Sequence, residues 1–427
     1  METNDLFTAA LRLDPPWTVA AIDFEQGTED ERGRLDIHIG FARGGELPCP
    51  ECGAACKAYD AEDREWRHLD FFQHVAYLHA RVPRVRCLDH GVRRANVPWA
   101  RPGSGFTLLF EALMLTMAAQ MPVAAIARMV REHDTRLWRI VNHHVEEARE
   151  RVDMSSVTEL VVDETSRAKG HSYVTIFLEP ESAEDGAPRA LYVADGRDHR
   201  VFHDFKADLM AHGGAPGRVG DICMDMSSAF MLGAFETMPL ARVTLDRFHV
   251  MKLVNEAVDD ARRRESKEHD ELKGTRYDWL MNPSRLSPKR RARVASLSGK
   301  HLKTAKAYQM RLNLRDLWAQ PTITAARRYL KKWCSWVLKA TAPPRDSKRT
   351  WILERKRTAA SSIKLHAEQI LNYYRRLLTS GVIEGANSLV QAARARARGY
   401  RNAETFKTII YLIAGRLSFE LPQTHWK

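Results

Sequence analysis

The 427-residue chain carries 66 Lys and Arg against 54 Asp and Glu, a formal charge of +12 and a pI near 9.5. An apolar content of 44% and a charged content of 28% exclude a disordered or fibrous chain and fit two to four folded domains. The basic balance favours a nucleic-acid partner over an acidic small-molecule enzyme; no apolar run approaches membrane length and the N-terminus is acidic, so a cytoplasmic, nucleoid-associated protein with no membrane partner is expected.

Residues 17–24 (WTVAAIDF) and 35–42 (RLDIHIGF) alternate as strands do, around the charged turn EQGTEDERG. Four of the six cysteines (49, 52, 56, 87, 223, 334) then crowd into 39 residues, too uneven a spread for a disulfide framework. Cys49-Pro-Glu-Cys52-Gly and Cys87-Leu-Asp-His90-Gly are two knuckles whose two-residue spacing lets both side chains reach one ion. A structural Zn2+ on Cys49, Cys52, Cys87 and His90 is expected, with Cys56 and His68 as nearby spare ligands. The segment QHVAYLHARVPRVRC between the knuckles reads as strand.

From 106 to 150 the period becomes helical. MPVAAIARMVREHDTRLWRIVNHHV fits a helix–turn–helix, with Val123, Ile126, Ala127 and Val130 on one apolar face and a turn at Glu132-His133-Asp134. The second helix, Thr135 to His144, would present Arg136, Trp138 and Arg139 to DNA beside buried Leu137, Ile140 and Val141. An ordinary helical hairpin carries the same pattern.

Strands are predicted at 159–163, 172–178, 190–194, 219–224 and 241–245, with helices near 201–212 and 227–236. Asp163 ends the first of these strands, Asp225 follows the fourth, and Glu384 opens a helix in GVIEGANSLV. Three carboxylates from separate elements suffice for a Mg2+ (or Mn2+) pair, which takes hard oxygen ligands and few of them. Taken singly, Asp163 could pair with Arg167 or Lys169, Asp225 could cap a helix, and Glu384 could answer a helix dipole. Residues 251–378 read as helical and basic: 261–310 alone holds 14 Lys/Arg against 5 Asp/Glu. One or two further helices are expected over 381–420.

In order, VVDETS, CMDMSSAF, DRFHV and GVIEGANSLVQAARARARGYRN resemble the transposases of bacterial insertion sequences of the ISL-three group, and CPECG…CLDHG resembles that group's zinc module. The resemblance runs from about residue 47 to 415. It implies a multidomain α+β protein: N-terminal zinc-binding module, helix–turn–helix, and an RNase H-like α/β catalytic domain split by a large all-helical insertion. The expected boundaries are 1–45 (N-terminal β segment), 46–100 (zinc), 101–152 (helix–turn–helix), 153–250 and 379–427 (catalytic parts) and 251–378 (insertion). By the same resemblance Asp163, Asp225 and Glu384 form a DDE triad holding Mg2+, and His249 of the D-x-x-H element supports it. The expected partners are terminal inverted repeats and target DNA, bound by a dimer or higher homo-oligomer. Arg394, Arg396, Arg398 and Arg401 would meet DNA, though residues two apart turn by about 200° and cannot share one helical face. Of the insertion's Trp279, Trp318, Trp333, Trp336 and Trp351, most are expected in the core, Trp333 and Trp336 sharing a helix face. The rival reading is a DNA-binding regulator whose RNase H-like part is only a scaffold.

Overall fold

Trp17 and Val19 are buried in β1 (Trp17–Glu25), and Leu35, Ile37 and Ile39 in β2 (Arg34–Phe41), the alternation that makes one sheet face a core. The computed structural model describes residues 2–28, 33–41, 46–168, 172–182, 186–343, 351–376, 381–400 and 402–422. They form two compact units, residues 1–148 with 418–427, and residues 149–417. Among them no helix is long and apolar enough to cross a membrane.

The first unit opens with α1 (Thr3–Ala10) and continues after β2 with β3 (Glu46–Pro48), β4 (Ala55–Phe71), β5 (His74–Cys87) and β6 (Gly91–Arg94). The six strands make one sheet in the order β1-β2-β5-β4-β3, with β6 also on β5. Because β2 pairs in parallel with β5, the stretches expected as 1–45 and 46–100 share a single sheet. Its core includes Trp17, Trp66 and Trp99, edge to face at 5.0 and 5.5 Å. β4 is a 17-residue strand that sequence reading passed over. Its alternation is masked by charge, since Asp60 pairs with Arg84 of β5 and Glu62 with Arg94 of β6. Three helices follow: α2 (Leu108–Gln120), α3 (Val123–Val130) and α4 (Asp134–Glu150).

The second unit is built on β7 (Glu159–Ala168), β8 (Ser172–Glu179), β9 (Arg189–Asp195), β10 (Asp221–Met224) and β11 (Arg242–Leu245), ordered β11-β10-β7-β8-β9. β8 runs antiparallel to both β7 and β9, whereas β10 and β11 run parallel to β7. The crossovers are α5 (Arg200–Ala211) and α6 (Ser228–Thr237), and their side of the sheet buries Leu160, Val162, Phe177, Ile222 and Met224. Phe177 stacks on Phe205 at 4.3 Å. Residue 233 is Gly because a Cβ there would lie 2.7 Å from the Phe202 ring, where α6 passes α5.

α7 (Arg247–Glu265) leads from β11 into a helical stretch: α8 (Arg276–Leu280), α9 (Pro288–Ser298), α10 (Lys303–Arg315), α11 (Ile323–Ala340), α12 (Glu354–Leu365), α13 (Ala367–Leu371) and α14 (Tyr373–Arg376). It shares its core with the sheet, since Met310, Leu330, Trp333 and Ile370 belong to the same buried cluster as Leu160. The Asn372 amide also donates to the Val243 carbonyl at 2.8 Å. Trp279 and Trp333 are core, but Trp336 is 39% exposed, so the two tryptophans expected on one face differ. A spacing of three turns the helix by about 300°, enough to carry the second ring past the core's rim.

The other sheet face is covered by α15 (Gly381–Arg396) and α16 (Ala403–Ala414), with Val390, Phe406 and Ile410 packed on Val174, Ile176 and Val193. β7 runs ten residues, so Asp163 stands in mid-strand and not at its end. The antiparallel ladder with β8 extends past the acid to Ala168, whereas parallel pairing with β10 stops at Val161. Asp163 is thus the point where β7 loses one neighbour and its edge opens.

Candidate active site and metal centre

Strand alternation aims Leu160 and Val162 at the α5 side and Asp163 and Thr165 at the α15 side. The Asp163 carboxylate accepts from the Glu164 backbone N–H at Oδ1 (2.8 Å) and from Asn387 Nδ2 at Oδ2 (2.8 Å). His249 Nε2 lies 3.7 Å from Asp163 Oδ1. Burial pushes the Asp163 carboxyl up to about 6; His249 and the Glu164 N–H oppose this, while the Asp225 and Asp246 carboxylates add to it. Asp225 follows β10 and accepts from the Ser227 N–H at 2.8 Å, and Ser227, not Asp225, is the N-cap of α6. Asp246 caps α7 by accepting from the Phe248 and His249 N–H groups, which fixes the His249 backbone one turn into the helix.

α15 docks on β7 through polar groups. Gln391 Nε2 donates to Thr165 Oγ1 (2.5 Å), and Arg394 Nη1 donates to the Ser166 carbonyl (2.8 Å) and to Gln391 Oε1 (2.9 Å). With Asn387 these residues form a stripe at i, i+4 and i+7. The second amide atom of Asn387, Oδ1, is buried with no hydrogen-bond partner among the described residues.

In the N-terminal unit, ligand atoms of Cys49, Cys52, Cys87 and His90 all lie within 4.8 Å of one another. Cys52 Sγ is 3.7 Å from Cys87 Sγ, and His90 Nδ1 is 3.6 Å from Cys87 Sγ. Zn–S bonds of ~2.3 Å put two sulfurs of a tetrahedron roughly 3.8 Å apart, so the donor set fits zinc. Gly53 and Gly91, at φ +73° and +69°, supply the left-handed residue after each knuckle. The spare candidates fall outside the cluster. Cys56 Sγ turns to the Ala54 carbonyl, and His68 Nδ1 meets Thr107 Oγ1 at 2.9 Å, where burial pulls its pKa down to about 4.

The three helices after the sheet close on a buried carboxylate. Glu111 is met by His144 Nε2 (2.7 Å), Arg101 Nε (3.0 Å) and Ser104 Oγ (2.6 Å). Val123, Ile126 and Ala127 of α3 and Leu137, Ile140 and Val141 of α4 are buried, while Val130 is only half-buried. The turn between them uses Arg131 at φ +56°. Arg139 is exposed and Trp138 half-buried. Arg136 binds Glu132 at 2.5 Å and lies over the Phe106 ring at 4.4 Å, so its guanidinium is already engaged within the fold.

These three assemblies coincide with three family models. A zinc-finger of transposases IS204/IS1001/IS1096/IS1165 matches residues 46–90, and a helix–turn–helix domain of transposase family ISL3 matches 95–145. The ISL3 model described as "Transposase" matches 160–410, more than half of the chain. The chain belongs to the ISL3 transposase family. Among its relatives, the transposase for insertion sequence element IS1557 of Mycobacterium tuberculosis is 24% identical, aligned over 100% of this chain and 98% of its own. The transposase for IS1001 of Bordetella parapertussis is 25% identical over 91% of this chain and 94% of its own.

In this ISL3-family chain the expected residues fall into three groups. Asp163, Asp225 and His249 are brought together, and so are the four zinc ligands. Arg394 is tied to β7, Arg396 ends α15 and is exposed, and Arg398 is exposed just beyond it at φ +56°. Glu384 lies on α15, but its side chain is outside the described residues, as is Arg401 entirely. Sequence reading missed Asn387 and Gln391 as site residues. The signal was present in GVIEGANSLVQ, where Asn387 follows Glu384 by three residues and Gln391 follows Asn387 by four, the spacings of one helical face.

Proposed function

We propose that this chain cuts DNA at the terminal inverted repeats of an insertion sequence and joins the freed ends to target DNA, using a divalent-metal site of Asp163, Asp225 and Glu384. The observation that carries this reading is the seam between α15 and β7. Its stripe of Asn387, Gln391 and Arg394 is anchored on Asp163, Thr165 and Ser166, and position 384 falls on the same stripe one turn earlier. The sheet order, three antiparallel strands followed by two parallel ones, supports an RNase H-like domain in parts 153–250 and 379–427 around an insertion at 251–378. The zinc module (46–100) and helix–turn–helix (101–152) complete the domain reading.

The donor chemistry supports a hard cation. A carboxyl held near 6 by burial and neighbouring acids, beside a buried amide oxygen without a partner among the described residues, is a set that a divalent ion relieves. When bound, Mg2+ (or Mn2+) supplies Lewis acidity for in-line displacement at a phosphodiester. The protein's own groups do the rest: Asn387 fixes the plane of Asp163, and Asp246 fixes α7 so that His249 stands beside the reacting phosphate. In cleavage a water oxygen bonds to phosphorus as the 3′-oxygen leaves and takes a proton. In joining, that 3′-hydroxyl attacks a target phosphodiester and displaces its 3′-oxygen. Zinc is structural here, because four protein ligands leave no open position. Handling two ends calls for at least a dimer on DNA.

The test is end cleavage in Mg2+ by the wild type, with Asp163→Ala and Asp225→Asn binding the same ends without cutting them. Cutting by both variants, or none by the wild type on ends it binds, would overturn the proposal.

A further inference from the structure

α7 forms one wall of a groove of about 660 Å³ that begins at Phe248 and extends to Arg263, Arg276 and Arg355. The groove starts at the reaction centre. Phe248 is 56% exposed and meets the His249 ring edge to face at 5.6 Å, and His249 is the residue 3.7 Å from Asp163. From Phe248 to Arg263 the helix climbs four turns, about 22 Å.

Lys252, Arg263, Arg276 and Arg355 are exposed on its rim. The two lining acids are already engaged, Asp259 with Arg262 (2.7 Å), Arg276 (3.4 Å) and Arg263 (3.6 Å) and Glu256 with Arg355 (3.0 Å), and five lining cations against two acids leave an excess of three. Beneath the floor lies a second source of positive potential. Arg311 is 5% exposed, and its bonds all go to neutral oxygens: Asn255 Oδ1 (2.6 Å), the carbonyls of Leu280 (2.9 Å) and Met281 (3.3 Å), and Asn282 Oδ1 (2.9 Å). Asn255 and Leu280 themselves line the groove. Among the described residues no carboxylate pairs with Arg311. A buried charge without a counter-ion is costly unless an anion comes to it.

We infer that this groove binds a single DNA strand continuous with the one being cut, a base resting on Phe248 and the following phosphates on Lys252, Arg263 and Arg355. A basic track with an exposed aromatic at one end is the chemistry that holds unpaired nucleic acid, and the volume is that of a small-ligand cleft, too small for a duplex. The inference rests on Asp163 and Asp225 being the cutting site, because that fixes where the strand starts.

The experiment uses full-length protein in magnesium-free buffer with zinc retained, and fluorescence anisotropy of a labelled twelve-residue oligothymidylate and of an inverted-repeat duplex over a range of salt. Lys252→Glu/Arg263→Glu/Arg355→Glu is expected to weaken the single strand more than tenfold at low salt. It should also flatten the slope of log K against log salt by about 2, the loss of three contacts at ~0.7 each. Duplex affinity should stay within twofold, which also reports that the protein is folded. Phe248→Ala should weaken the single strand several-fold, with Phe248→Trp restoring it and quenching on binding. An unchanged salt slope, or equal loss for strand and duplex, overturns the groove. If wild type cuts ends and Asp163→Ala does not while the slope is unchanged, the groove alone falls. If the slope flattens but no end is ever cut, the groove stands and the transposition chemistry falls.

Discussion

Asp163→Asn should make the metal-free protein more stable. In the fold the carboxyl is moved from 3.8 to about 6, chiefly by burial, and its side chain is only 16% exposed, so little solvent screening applies. Because the folded form holds its proton more tightly than the unfolded chain, the penalty is absent below pH 3.8, grows as pH rises toward 6, and is complete above it. A shift of this size is worth about 3 kcal/mol at neutral pH. Asparagine keeps the shape, can still accept from Asn387, and carries no charge near Asp225 and Asp246. For a unit of this size the gain corresponds to roughly 5–10 °C in melting temperature. Calorimetry of wild type and variant in magnesium-free buffer with zinc retained, at pH 4 and pH 7.5, measures it. The gain should be present at pH 7.5 and small at pH 4, and Mg2+ should raise the melting temperature of the wild type much more than that of the variant. A variant no more stable than wild type at pH 7.5, or a gain equal at both pH values, would show the reasoning about burial to be wrong.

Cys87→Ser should lose the bound zinc and melt the N-terminal unit at lower temperature, whereas Cys56→Ser should keep one zinc per chain by metal analysis. Glu111→Gln should destabilise the same unit by about 3 kcal/mol in urea unfolding, because it strands His144 and Arg101. The pKa of Glu111 is lowered because His144, Ser104 and Arg101 outweigh its burial, so the wild type's advantage should hold at neutral pH and fade as pH falls through the acid carboxylate range. Asn387→Ala should weaken Mn2+ binding about 10- to 100-fold by calorimetric titration, leaving duplex affinity unchanged. Equal Mn2+ affinity would make Asn387 a packing residue only.

Local chemistry was legible where spacing encodes it. The two knuckles announced the zinc cluster, and Val123, Ile126 and Ala127 announced the first helix of the pair. The strands read at 17–24 and 35–42 were visible from apolar alternation, and the one before Asp163 from its apolar run. Charge hid the rest. β4 reads as a polar loop because its ion pairs form only across the sheet, and Arg136 and Arg394 read as DNA ligands because their partners, Glu132 with Phe106 and the Ser166 carbonyl, meet them only in the fold. Asn387 was passed over because its partner is 224 residues away. The mid-strand position of Asp163 likewise depends on how far β8 follows β7, a matter of pairing and not of composition.

The seam that fastens α15 to β7 also sets an order of events during synthesis. The zinc knuckles, the helix pair, both aspartates and the whole helical stretch leave the ribosome before Asn387, Gln391 and Arg394 do. A polypeptide that stops short of them retains the parts proposed to grip DNA ends but lacks the clasp on Asp163. Such a fragment would also leave Val174, Ile176 and Val193 of the sheet without the cover of Val390, Phe406 and Ile410.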